Sequence, residues 1–452
     1  MFRVSRRSRS PMVRVLSPLR DFLATEAASA VLLAAAAVAA LVWANSPWSA
    51  SYENLWTSRA AFTVAGHTLD LDLRHWINDG LMAIFFFVVG LEIKRELTDG
   101  HLSTRRAAVL PGVAALGGMV VPAIVYLVIA GGTAPRGWAI PMATDIALAV
   151  GVLAVAGSRI PSSLRAFLLG LAIVDDIGAI VIIAAVYSTG VTYGWLAAAI
   201  VGVVVTLLVR RVGVHSTWVY VVIGAVVWFG LHEAGIHPTI AGVVMGLLAP
   251  STPRLGTELI DGEELADLSN ADHARSTSSL AKGSVSVVEW LQHVLHPWTS
   301  FVIVPIFALA NSGIEISIEG LRDAAESAIT WGVLLGLLLG KPLGIVIATR
   351  ATIKAGLADN PADSTSLQIA GVGMAAGIGF TVALFITELA LTDPVEQSNA
   401  KLAILVASAL AATVSAVILR KGPPPPSPSP PAPRETTGDS VGALNVDQRP
   451  GR

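Results

Sequence analysis

Cysteine is absent from the 452 residues, and charge is scarce: 14% of the chain is Asp, Glu, Lys or Arg, against 54% hydrophobic. Without cysteine there is no disulfide and no thiolate chemistry, and nothing to read about redox compartment. The nine histidines show no metal-ligand spacing. The formal net charge is −2, so no global field points to nucleic acid. Soluble domains carry roughly a quarter charged residues. A mean hydropathy of +0.68 completes the contrast and marks an integral membrane protein.

What is present is a series of apolar runs of the roughly 17–25 residues that cross a bilayer. Helices are expected near Thr25–Ala44, Leu73–Leu97, Ala107–Ile129, Ser162–Tyr187, Tyr193–Val209, Val287–Ala310, Trp331–Thr349 and Lys401–Leu419. Two shorter runs lie between Trp218 and Leu248, broken at "LHEAGIHPT", and two further segments, "GWAIPMATDIALAVGVLAV" and "IAGVGMAAGIGFTVALFITEL", are interrupted. The expectation is an all-α polytopic membrane protein with about twelve transmembrane helices. The run Ala27–Ala44 is long for a signal-peptide core and many spans come after it, so it is read as the first crossing.

Twelve crossings put both termini on one side. Alternating the loops collects Arg3, Arg6, Arg7, Arg9, Arg14, Arg20, Lys94, Arg95, Arg105, Arg106, Arg159, Arg165, Arg210, Arg211, Arg350, Lys354, Arg420 and Lys421 there, against Arg59, Arg74, Arg136, Arg322 and Lys401 opposite. By the positive-inside rule both termini are expected in the cytoplasm. The two interrupted segments hold matching places, fourth from the start and second from the end, which points to inverted repeats whose broken helices cross at the midplane. Residues 1–20 form a basic extension, 21–421 the membrane domain, and 422–452 a Pro/Ser-rich tail expected to be disordered. The 250–286 loop is polar and acidic, and neither it nor the tail has the character of a site. "AFTVAGHTLDLDL", Ala61–Leu73, alternates around Gly66 and fits either a β-hairpin or a loop.

The chemistry concentrates where charge is most costly. "FLLGLAIVDDIGAIVIIAAVY" is aliphatic except for Asp175 and Asp176, and each ionised Asp at a bilayer centre costs roughly 2.5–3.5 kcal/mol on insertion scales. Adjacent helical residues point about 100° apart, so one acid can face a cavity and the other a neighbouring helix. Two close carboxylates in low dielectric titrate as a coupled unit, and a carboxylate able to hold either H+ or a hard cation is the minimum equipment of a cation/proton exchanger. Lys341, in "WGVLLGLLLGKPLGIV", ends a stripe of Gly332, Gly336, Gly340 and Gly344. It either snorkels to an interface or is a buried cation needing an intramembrane acid. In "IPMATDIALAV", Pro141 breaks a helix and Thr144–Asp145 begin the next half; Asp145 would offset the positive helix ends meeting there. Gly377 and Gly379 should break the partner segment. Glu92, Lys94, Arg95 and Glu96 cluster at one mouth and either anchor a helix end or serve function, while Asp79 fits a simple cap.

Seven motifs in order, "FFFVVGLEIKREL", "MATDIALAVGVLAVAGSRIP", "LAIVDDIGAI", "HVLHPW", "PIFALANSG", "LLGKPLG" and "GIGFT", run across roughly Asp21 to Arg420. Together they resemble the NhaA-type bacterial Na+/H+ antiporters. The resemblance implies a fold with two crossed discontinuous helices in the bacterial cell membrane. It implies electrogenic, pH-regulated exchange of cytoplasmic Na+ or Li+ for external H+, with no cofactor and no nucleotide, serving pH homeostasis and salt tolerance. It places the cation at Asp176 with Asp175, puts Thr144 and Asp145 beside them, and pairs Lys341 with the first aspartate. It assigns pH sensing to Glu92, Arg95 and Glu96, with His237 a further candidate, and a homodimer to the Ala61–Leu73 hairpin. The sequence departs at one place: where the best-known members carry a sensor glutamate, this chain has Gln292, and Glu289, three residues earlier on the same helical face, is the candidate to substitute for it in pH sensing. A sodium-coupled solute symporter would share broken helices and midplane cation sites. An intramembrane aspartyl protease would need two buried acids on separate helices; Asp145 and Asp175 could be forced into that role, but there is no GxGD-type stretch and Lys341 has no place in it. A passive channel has less use for buried titratable acids than an exchanger does.

Overall fold

The computed structural model describes residues 26–64, 67–100, 102–156, 160–188, 190–214, 216–251, 286–361 and 364–421. The basic extension, nearly all of the acidic loop, the tail and the hairpin tip at Gly66 lie outside the described residues. Helices α1 (Glu26–Ala44) and α2 (Ser49–Trp56) lead into an antiparallel hairpin, β1 (Arg59–Val64) and β2 (His67–Asp72), in which Arg59 pairs with Asp72 and Thr63 with Thr68. The period-two alternation therefore reports a true hairpin.

Next along the chain are α3 (Leu73–Thr98), α4 (Arg105–Ala130), a 3-10 segment Pro135–Met142 leading to α5 (Ile146–Ala156), α6 (Ser162–Val186) and α7 (Tyr193–Arg211). The shorter α8 (Thr217–Glu233) and α9 (Thr239–Leu248) come after them, then α10 (Val287–Asn311), the surface helix α11 (Ile318–Glu326) and α12 (Ala328–Lys354). The chain closes with α13 (Ser366–Ala376), α14 (Phe380–Ala390) and α15 (Pro394–Lys421). Among the described residues, nine helical segments are long and apolar enough to cross a membrane. The pair α13–α14, bent by 45° at Gly377–Gly379, makes a tenth, and α8 and α9 are shorter apolar helices. The protein is an all-α polytopic membrane protein with, among the described residues, one small hairpin.

Among the described residues three spans loosen by one residue into a π turn: Ile77–Leu81 in α3, Thr299–Ile303 in α10 and Gly336–Gly340 in α12. Two have a common cause. Pro305 and Pro342 lack the N–H that would serve the carbonyl four residues back, and their rings clash with it. The chain widens first: Val304 N–H bonds to Thr299 O and Lys341 N–H to Gly336 O, five residues back. The widened turn in α12 sits directly beneath Lys341. That helix also packs backbone to backbone on α4, where a Cβ on Gly117 would stand 2.5 Å from the Gly344 carbonyl. Only glycine allows so close an approach.

Candidate functional site

The two helix breaks meet. Beyond Met142 the 3-10 segment ends, and Asp145 N–H donates to Ile378 O at 2.6 Å, inside the Gly377–Gly379 break. At membrane depth such freed backbone must be satisfied by protein, and each break satisfies the other. Asp145 fastens the junction from both sides. Its Oδ1 accepts from Leu148 N–H at 3.0 Å, capping α5. Its Oδ2 accepts from Thr381 N–H at 3.1 Å and Oγ1 at 2.6 Å, at the start of α14. A carboxylate here meets the positive N-terminal ends of two half-helices at once.

Against this junction α6 presents Asp175 and Asp176, 1% and 6% exposed. Lys341, fully buried, reaches across from α12: its Nζ lies 2.5 Å from Asp175 Oδ2 and also donates to Met142 O, the last carbonyl before the break. Thr144 Oγ1 stands 2.6 Å from Asp175 Oδ2 and 2.9 Å from Ala376 O, so its one proton serves one of them at a time. Both donors converge on Oδ2. Asp175 Oδ1 is buried with no partner among the described residues. Asp176 comes next on α6, one face round, within electrostatic reach of Asp175, Asp145, Lys341 and Glu92.

Five of the residues singled out from sequence, Thr144, Asp145, Asp175, Asp176 and Lys341, thus form one cluster. The cluster Glu92, Arg95 and Glu96 occupies the far end of α3, where Arg95 Nη1 donates to the buried Gln292 Oε1 at 3.2 Å. Glu289 is exposed in the first turn of α10, its own N–H capped by Ser286, so the residue set against Arg95 is Gln292. His237 is elsewhere. Its Nε2 lies 3.7 Å from Asp79 Oδ1, and His232 Nδ1 lies 3.8 Å from Asp79 Oδ2. This is the hairpin end of α3, thirteen residues or about 20 Å of helix from Glu92. Asp79 is therefore not a simple cap: it stands between two histidines. Sequence reasoning passed over Thr381, the clamp on Asp145, although it is the last residue of "GIGFT".

Residues 20–419 match the family model described as Na+/H+ antiporter 1. The chain belongs to the Na+/H+ antiporter 1 family. It is 44% identical to the Na+/H+ antiporter NhaA 3 of Frankia alni, with 90% of this chain and 89% of that protein covered. It is 46% identical to NhaA 2 of Myxococcus xanthus over 89% of each chain, and 42% identical to NhaA 2 of a Pseudomonas putida strain over 89% of this chain and 92% of that one. The carboxylate cluster, the broken spans and the hairpin all fall within the region shared with the family.

Proposed function

We propose that this Na+/H+ antiporter binds its two substrates in competition at Asp175 and Asp176, with Lys341 as the internal cation that holds the site when Na+ is absent. The protein is a transporter rather than an enzyme, and Na+ and H+ are its substrates. The single observation that supports the site assignment is the Lys341–Asp175 pair at 2.5 Å with Asp175 Oδ1 left unpartnered. A buried carboxylate oxygen without a donor is a place for a proton or a hard cation. Na+ entering between the two carboxylates, with Thr144 Oγ1 alongside, displaces the Lys341 ammonium, which releases a proton. Protonation from the other side expels Na+. Asp145 keeps the meeting helix ends neutralised throughout, and Li+, another small hard cation, fits the same oxygen set.

The positive-inside bias supports placing both termini in the cytoplasm, which puts the Arg95–Gln292 contact at the inner mouth and the hairpin outside. In that orientation, with an inward H+ gradient as the driving force, the protein exports Na+ and admits H+. It makes twelve crossings if α8 and α9 each count as one, as inverted repeats require. The hairpin suits a homodimer contact. Glu92, Arg95, Glu96, His237 and Glu289 are the candidates for pH control.

Everted vesicles from an antiporter-deficient host, carrying a ΔpH dye, test the site. NaCl or LiCl should dequench the dye where KCl does not, and Asp176→Asn should abolish the response at every pH. Retained exchange in Asp176→Asn would overturn the carboxylate assignment. Absence of Na+-driven proton movement in the wild type would overturn the exchange itself.

A further inference from the structure

A second buried ion pair lies outside the cluster just described. Lys401 Nζ on α15 is 2.5 Å from Glu388 Oε1 on α14, and both side chains are largely buried, 12% and 19% exposed. No hydrogen bond reaches that buried oxygen from any described group, so Lys401 is what compensates it. A largely buried pair is costly to assemble and far costlier to halve. Plain packing of two helices does not call for one.

Its place on α14 indicates what it does. The helix is short, eleven residues from Phe380 to Ala390. At its inner end Thr381 holds Asp145 with its N–H and its hydroxyl. Glu388 comes seven residues later, about 10 Å along the axis. Between them on the same face, Phe385 is packed by Phe86 of α3, Phe307 of α10 and the His237 ring, with centroids 5.5, 6.3 and 5.0 Å away. At the outer end the charge pair, with Gln397 Nε2 donating to Leu391 O at 2.7 Å, ties the half-helix to α15, and the helix links that end to Thr381.

We propose that Glu388 and Lys401 are positioning residues: their ion pair sets the axial position of α14 against α15, and through Thr381 the placement of Asp145 at the cation site. This inference rests on the site assignment above. Neither residue touches the cation, so the pair acts on how well the site is shaped for it rather than on the exchange chemistry.

The test measures Na+ half-saturation and maximal rate in everted vesicles for Glu388→Gln, Lys401→Met, Lys401→Arg and the charge swap Glu388→Lys/Lys401→Glu. Each single neutralisation should raise the Na+ half-saturation concentration by about tenfold with the maximal rate per folded protein largely kept. Lys401→Arg should stay close to wild type, and the swap should recover most of the loss. A purely structural role predicts the opposite split: less folded protein, a lower rate and unchanged half-saturation. Unchanged half-saturation in the folded single variants, or a swap no better than either single, overturns the proposal. Asp176→Asn in the same vesicles reads the site assignment separately. Exchange surviving in it removes that assignment while the half-saturation comparison still reports whether the pair shapes cation binding.

Discussion

Lys341 gives the sharpest quantitative expectation. In Lys341→Met the Asp175 carboxylate keeps Thr144 as its one donor and Oδ1 stays bare, in a pocket 1% exposed. Removing one member of a buried pair costs about 3–5 kcal/mol. Taking up a proton offers no cheap escape at pH 8: relative to a solution value near 3.9, about 4.1 units at 1.36 kcal/mol each come to about 5.6 kcal/mol. At pH 5 the same proton costs only about 1.5 kcal/mol. The variant should therefore be destabilised by about 4 kcal/mol at pH 8 and by about 1.5 kcal/mol at pH 5. With an unfolding entropy of about 2.1 cal/mol/K per residue, applied from Glu26 to Lys421, 4 kcal/mol is about 5 °C in Tm. Replacing both partners, in Lys341→Met/Asp175→Asn, removes the stranded charge and should return stability to within about 1 kcal/mol of wild type. Thermal unfolding in detergent at the two pH values measures all three proteins. A single variant as stable as wild type at pH 8, or a double variant as unstable as the single, would refute the account of the pair.

Neighbouring geometry carries three more expectations. Thr381→Val removes the 2.6 Å hydroxyl bond to Asp145, worth about 1.5–3 kcal/mol to a charged acceptor; exchange should drop while Thr381→Ser keeps it, and equal activity in both variants would count against the clamp. Gln292→Glu sets a carboxylate against the Arg95 guanidinium, 3.2 Å from the present amide oxygen, so the pH profile of exchange should shift; superimposable profiles would remove Gln292 from pH control. Asp72, just before α3, accepts from His75 N–H at 2.8 Å and meets its ring at 2.7 Å. Partial burial disfavours its charge, but the His75 N–H, the His75 ring and Arg74 outweigh that and hold the carboxyl below its usual value. A lowered folded value stabilises above the unfolded pKa of about 3.9 and is lost as pH falls through the folded one. The Tm gap between wild type and Asp72→Ala should therefore be fullest near neutral pH and narrow below about pH 4; a gap constant with pH would show that the charge contributes nothing.

The legible parts of this protein are those where a residue type contradicts its surroundings. Asp175 and Asp176 stand out of an aliphatic run, Lys341 ends a glycine stripe, and Pro141 and the Gly377/Gly379 pair interrupt apolar segments. Each is a cost in hydrocarbon and so a signal on one line of sequence. Partnerships are less visible. Nothing local to Thr381 shows that it clamps a carboxylate 236 positions away, since threonine is common at helix starts. Asp79 resembles a cap because it lies near the outer start of a helix, and the two histidines beside it come from about 150 residues downstream. The π turns are also hidden. Proline marks where a span is disturbed, but the letters alone do not say whether it kinks, breaks or widens there.

The π turn before Lys341 makes the aim of that side chain a matter of counting. Gly336–Gly340 holds one residue more than an α turn would, and each residue swings the remainder of the helix round by about 100°. The lysine points at Asp175 because the turn has this length, whichever apolar side chains fill Leu337, Leu338 and Leu339. Substitution and deletion are therefore unequal injuries here. A change of letter alters packing by a methyl or two, while loss of one letter turns the ammonium away from its acid and rotates everything in α12 beyond it. In a stretch written as "GLLLG", the chemistry enforces length before it enforces identity.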